Sequence, residues 1–121
     1  MQVTEPDEAR FRLNTARDEA LRQIGALERE FAAIAASAAD GSAGGDDEHD
    51  PEGATVAFER QHVAALLTQA RAHLAAIDAA INKIDAGVYE RCDSCGEPIG
   101  AERLAARPAA LLCLRCAARR G

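Results

Sequence analysis

The sequence predicts a mainly α protein: a long antiparallel α-helical hairpin, a coiled coil, followed by a small C-terminal four-cysteine finger. Three observations predict it. Two long segments repeat apolar residues at alternating steps of three and four, a glycine-rich acidic stretch separates them, and all four cysteines fall in two C-x-x-C pairs near the C-terminus. The alternation is the pattern of a narrow helical seam. Although 48% of the 121 residues are hydrophobic, only 3% are aromatic and none is Trp, so the chain lacks the bulk to fill a wide core. It suits closely packed helices, with a metal compensating where the core is thin. The expected division is 1–86 for the hairpin, including an acidic tip loop at 40–52, and 87–121 for the finger and a short tail.

The first helix is expected from about Asp7 to about Ala39. Pro6 suits a first-turn position, and Asp7 and Glu8 complement the positive end of the helix dipole. Ala20, Ile24, Leu27, Phe31, Ile34 and Ala38 form the seam, with Leu13 upstream and Arg17 interrupting it. Gly41, after Asp40, is read as the stop.

The stretch from Asp40 to Glu52 has a different composition. Asp40, Asp46, Asp47, Glu48, Asp50 and Glu52 are its acids, and it contains no Lys or Arg. The whole chain has 14 basic and 20 acidic residues, a net charge of −6, so the remainder sums to zero and the net charge belongs to this stretch. A solvated linker is the plainer reading of an acidic Gly/Ser-rich loop. At the tip of a hairpin, however, uncompensated acids repel one another and add nothing to the fold. They suit the delivery of carboxylates into a basic or metal-containing site.

The second helix opens with Asp50 as N-cap and Pro51 at the first helical position, and is expected to reach Ala86, with Gly87 as its stop. Val63, Leu67, Ala70, Leu74, Ile77, Ile81, Ile84 and Val88 continue the alternation. Neither seam is buried until it meets the other, so the two helices are expected to fold back on each other. Pairing with other chains is the alternative, but the short connection favours closure within one chain. A monomer is expected.

In the finger, Cys92-Asp93-Ser94-Cys95 and Cys113-Leu114-Arg115-Cys116 bracket residues 96–112. Each pair can turn two thiolates toward one centre, and Gly96 stands where such a knuckle needs a left-handed residue. Four thiolates close the shell of one Zn²⁺ and leave no open position, which points to a structural rather than a catalytic ion. Two disulfides, or four unrelated thiols, are the alternatives. The opening residues Met1 to Pro6 show neither the basic nor the apolar part of a signal peptide, which favours zinc and a cytoplasmic chain. No apolar run is long enough for a membrane span. Leu104, Leu111 and Leu112 are expected around the knuckles, and Arg103, Arg107, Arg115, Arg119 and Arg120 tilt this end basic.

From Gly87-Val88-Tyr89-Glu90-Arg91-Cys92-Asp93-Ser94-Cys95-Gly96, through Ile99 and Arg103-Leu104-Ala105-Ala106-Arg107-Pro108, to Leu112-Cys113-Leu114-Arg115-Cys116, the residues resemble the DksA/TraR zinc-finger family. The resemblance implies a bacterial transcription regulator that binds RNA polymerase at the secondary channel. Its acidic coiled-coil tip would approach the catalytic centre, without sequence-specific DNA contact. It assigns Asp47, Glu48 and Asp50 to the tip. The family's Asp-x-x-Asp-x-Ala signature is matched by Asp47 and Asp50, while Glu52 stands in place of the alanine. It also assigns Arg103 and Arg107 to a partner surface. Arg107 matches a position used for the alarmone ppGpp in the DksA branch of the family. Ala76 and Ala117 stand at the other two positions, and alanine offers a phosphate no charge, so a DksA-like ppGpp site is not expected.

Other functions fit less well. A zinc-ribbon module binding nucleic acid or another protein directly would need a basic face and, for nucleic acid, stacking aromatics. Only Tyr89 stands near the finger, and the chain is acidic overall. An enzyme would need a nucleophile and base at workable spacing, whereas His49, His62 and His73 are isolated. A thiol redox switch is permitted by four cysteines, but no other residue points to one.

Overall fold

Pro6, Asp7 and Glu8 open the first helix, and Gly87 closes the second. In the computed structural model, which describes the backbone of residues 6–44 and 51–120 and the side chains of 6–37 and 53–120, α1 spans Pro6–Gly44 and α2 spans Pro51–Ala86. Two short helices follow, α3 at Ala101–Ala106 and α4 at Leu114–Arg120. The fold is an antiparallel pair of long helices with a C-terminal cysteine finger, as the apolar spacing predicts. Asp47, Glu48 and Asp50, together with Asp46, lie outside the described residues, as do the side chains of Asp40 and Glu52.

α1 runs beyond the expected end near Ala39, through Gly41 to Gly44. A glycine inside a helix costs only about 1 kcal/mol relative to alanine, so it permits a stop without forcing one. At the end of α2 the stop is complete. Gly87 takes φ 79°. Its N–H donates to the Ile84 carbonyl at 3.0 Å and the Val88 N–H to the Lys83 carbonyl at 2.9 Å. These are the two bonds of a Schellman cap, which satisfies carbonyls that the helix leaves open.

The chain divides into two compact units, Met1–Glu19 with His73–Gly121, and Ala20–Ala72. In the second of these, Ala20, Ile24 and Leu27 of α1 and Val63, Leu67 and Ala70 of α2 are buried, all on the predicted seams. Phe31 and Ile34 are half-buried. Glu28 and Arg71 pair at 2.8 Å with both side chains more than half exposed.

In the first unit, Ala9 and Leu13 of α1 are buried, as are Ile77, Ala80 and Ile84 of α2. The deep position is Ala80 rather than the expected Ile81, which is half-buried. From Ile77 the buried stripe steps three residues to Ala80 and then four to Ile84, instead of four to Ile81 and then three. Val88 is exposed because Gly87 has already turned the chain off the helix. Arg17, the break in the α1 pattern, donates from Nε to Asp78 Oδ1 at 2.7 Å, and Arg10 reaches Asp85 Oδ1 at 2.7 Å. The interruption is therefore answered by a carboxylate on the facing helix, and the two pairs run in opposite order along the helices.

Candidate metal centre

The finger opens where the Schellman cap releases the chain. Arg91 and Pro98 form an isolated antiparallel bridge. Within it the Cys92 N–H donates to the Glu97 carbonyl at 2.8 Å, and the Gly96 N–H donates to the Cys92 carbonyl at 2.9 Å. Gly96 has φ 78°, the left-handed conformation expected after the first pair. The second pair is formed differently, by a turn into α4. Cys113 precedes the helix, its carbonyl accepts from the Ala117 N–H at 2.9 Å, and Cys116 lies within the first turn. The Asp93 N–H donates to the Leu111 carbonyl at 2.9 Å, which joins the two pairs through the backbone.

This arrangement brings Cys92, Cys95, Cys113 and Cys116 together, with all four sulphurs within 4.8 Å of one another. Cys92, Cys113 and Cys116 are buried and Cys95 is exposed; all four are free thiols rather than disulfides. The Cys95 and Cys113 sulphurs are 3.9 Å apart. Tetrahedral Zn–S bonds of about 2.3 Å imply sulphur–sulphur edges of about 3.8 Å. The donor set and its spacing therefore suit one structural Zn²⁺, and the closed shell leaves no position for substrate.

The electrostatics also favour a cation. Burial raises the Cys92 thiol, but polar groups of Cys113, Cys95 and Ser94 outweigh it and bring it down to about 6. The backbone of Cys116 lowers Cys113. The Cys113 sulphur in turn pushes Cys116 up to about 11. Thiolates this close repel one another, and a divalent ion at their centre removes that repulsion.

Several side chains hold the finger through backbone carbonyls. The buried Tyr89 donates its hydroxyl to the Pro108 carbonyl at 2.8 Å, and burial raises its pKa. Arg12 of α1 donates to the Ala105 carbonyl at 2.8 Å, and Arg91 to the Gly96 carbonyl at 3.0 Å. Arg103 Nε donates to the Leu112 carbonyl at 2.8 Å. Lys83, the basic residue in the last turn of α2, donates to the Arg91 carbonyl and lies 3.0 Å from the Asp93 carboxylate. Leu104 is fully buried, while Leu111 and Leu112 are half-buried. Sequence reasoning missed Lys83; a lysine four residues ahead of a helix-stopping glycine and nine ahead of a C-x-x-C is the only signal it leaves.

Arg103 and Arg107 both line an open cavity of about 390 Å³, together with Ala76, Asp93, Ala117 and Arg120. The three positions that the resemblance associates with a nucleotide are thus brought to one place.

Residues 87–120 match the prokaryotic dksA/traR C4-type zinc finger. The RNA polymerase-binding transcription factor DksA of Haemophilus influenzae is 50% identical over 40 residues, 33% of this chain and 28% of that protein. The aligned segment thus spans little more than a quarter of that relative's length. The structure of transcription factor DksA2 from Pseudomonas aeruginosa superposes with a TM-score of 0.72 at 28% identity, covering 95% of this chain and 81% of that one. The class these features define is a structural zinc finger carried on a pair of long helices. Within that class, the finger at residues 87–120 is of the dksA/traR C4 type, and the chain as a whole is similar in fold to DksA2.

Proposed function

We propose that this chain is a bacterial transcription regulator that binds RNA polymerase at the secondary channel and acts without reading DNA sequence. Cys92, Cys95, Cys113 and Cys116 hold one structural zinc ion, which fixes the finger at the base of the helices. Asp47, Glu48 and Asp50 act electrostatically near the catalytic centre, and Arg107, with Arg103, faces the polymerase. The protein works as a cytoplasmic monomer and is not itself an enzyme.

The observation that carries this reading is the whole-chain likeness to DksA2, which extends the finger match along both long helices. The concentration of net charge in 40–52 supports an active tip, because those acids serve no evident need of the fold. Direct nucleic-acid binding has less support, since Tyr89, the aromatic residue near the finger, is buried with its hydroxyl on the Pro108 carbonyl and offers no stacking face. In the cavity that Arg107 lines, Ala76 and Ala117 leave uncharged two of the positions that the resemblance associates with ppGpp. A response that does not depend on ppGpp is therefore expected.

In transcription with purified polymerase, the parent protein should change the lifetime of promoter complexes with or without ppGpp. The Asp47→Asn, Asp50→Asn double variant should bind polymerase with unchanged affinity and lose that effect. Weakened binding by the double variant would make the acids an anchor, and no binding by the parent would overturn the proposal.

A further inference from the structure

The two cysteine pairs differ in backbone conformation, one formed by a bridge and glycine turn, the other by entry into a helix. They nevertheless share one feature. In each, the carbonyl of the residue just before the first cysteine accepts a hydrogen bond from a basic side chain outside the pair. Lys83 Nζ reaches the Arg91 carbonyl, ahead of Cys92. Arg103 Nε reaches the Leu112 carbonyl, ahead of Cys113, at 2.8 Å. We propose that Lys83 and Arg103 are the positioning residues of the metal centre, each fixing the peptide plane from which its cysteine pair springs.

The contacts around these peptides support that role. The peptide joining Arg91 to Cys92 is held from both sides, its carbonyl by Lys83 and its N–H by the Glu97 carbonyl at 2.8 Å. Lys83 makes a second contact inside the pair, with the Asp93 carboxylate at 3.0 Å, and its side chain is only 11% exposed. A lysine that buried, with an acceptor on each side, is held in place rather than sampling solvent. Arg103 comes from α3, part of the segment between the pairs, and its side chain is half-buried. Its bond therefore closes that segment back onto the second pair. The two residues anchor the pairs to different elements, α2 for the first and α3 for the second. Partners that orient metal ligands typically change affinity about ten- to a hundred-fold when removed.

The inference rests on the zinc reading of the cysteines and is independent of the polymerase reading. Its test uses the full chain loaded with zinc, and the variants Lys83→Met, Arg103→Met and Lys83→Arg. The measurements are zinc affinity by chelator competition, the rate of zinc release into excess chelator, and the charge-transfer and d–d bands of the cobalt-substituted protein. Each methionine variant should bind zinc about ten-fold more weakly, release it faster, and show altered cobalt bands. Lys83→Arg, which keeps a charged donor, should stay within a few-fold of the parent. Helical circular dichroism at saturating zinc should be unchanged throughout. Because release starts from the loaded, folded protein, it can be read even for a variant that unfolds once the metal leaves. Affinity, release and cobalt bands all matching the parent would overturn the inference. So would equal losses in Lys83→Arg and Lys83→Met. A parent that binds no zinc would instead defeat the zinc reading beneath it.

Discussion

The unit Ala20–Ala72 and the finger within the other unit solve the same problem in different ways. The described residues of Ala20–Ala72 are helical, so their backbone groups are satisfied along the chain and their side chains are free to form an apolar seam. The finger has an isolated bridge and two short helices, which leave many carbonyls without a regular partner. There Tyr89, Arg91, Arg103, Lys83 and Arg12 donate to carbonyls, and the cysteine cluster calls for a cation. The difference teaches that one segment is stabilised by periodic burial and the other by specific polar contacts around a metal. The two should fail under different insults.

The largest effect should come from Cys113→Ser, which removes a buried sulphur from the cluster. Structural zinc in small fingers contributes on the order of 10–16 kcal/mol. The variant should retain no stoichiometric zinc, and amides of residues 92–116 should lose most of their protection from hydrogen exchange. Amides of Val63 to Ala70 should remain protected. Equal loss in both regions would break the comparison.

A smaller effect is expected from Ile77→Ala. Ile77 is 0% exposed, and truncating such a side chain costs about 2–5 kcal/mol. The midpoint of urea unfolding followed by helical circular dichroism should fall, while zinc stoichiometry at saturating metal is retained. Zinc loss in this variant would show that burial on the helices and the metal centre are not separable. The smallest effect belongs to Arg71→Gln, which removes an ion pair whose side chains are 56% and 53% exposed. It should shift stability by about 0–1 kcal/mol, and less in high salt. A larger loss would mean that Ala20–Ala72 depends on more than its seam.

The sequence reveals these two regions unequally. The seams were legible because helical periodicity is a repeated signal. Leu13, Ala20, Ile24, Leu27, Val63, Leu67, Ala70, Ile77 and Ile84 all sit where the spacing places them. The cysteine cluster was legible because its spacing is itself a geometric constraint. The end of α1 was not, since Gly41 permits two conformations and the choice depends on its surroundings. The exchange of Ile81 for Ala80 was hidden because the step of seven from Ile77 to Ile84 can be bridged by three then four or by four then three, and both fit a helical stripe. Bonds from Lys83, Arg103 and Tyr89 to distant carbonyls have no period, and the acceptors look the same at every residue. Such contacts emerge only once the chain is folded.

Tyr89 is the chain's single tyrosine, there is no tryptophan, and the phenol is buried in the finger with its hydroxyl on the Pro108 carbonyl. Ultraviolet emission excited in the tyrosine band must therefore originate at that one ring. The molecule carries its own optical gauge for the state of the cysteine-bearing end, with no label attached and no second fluorophore to subtract.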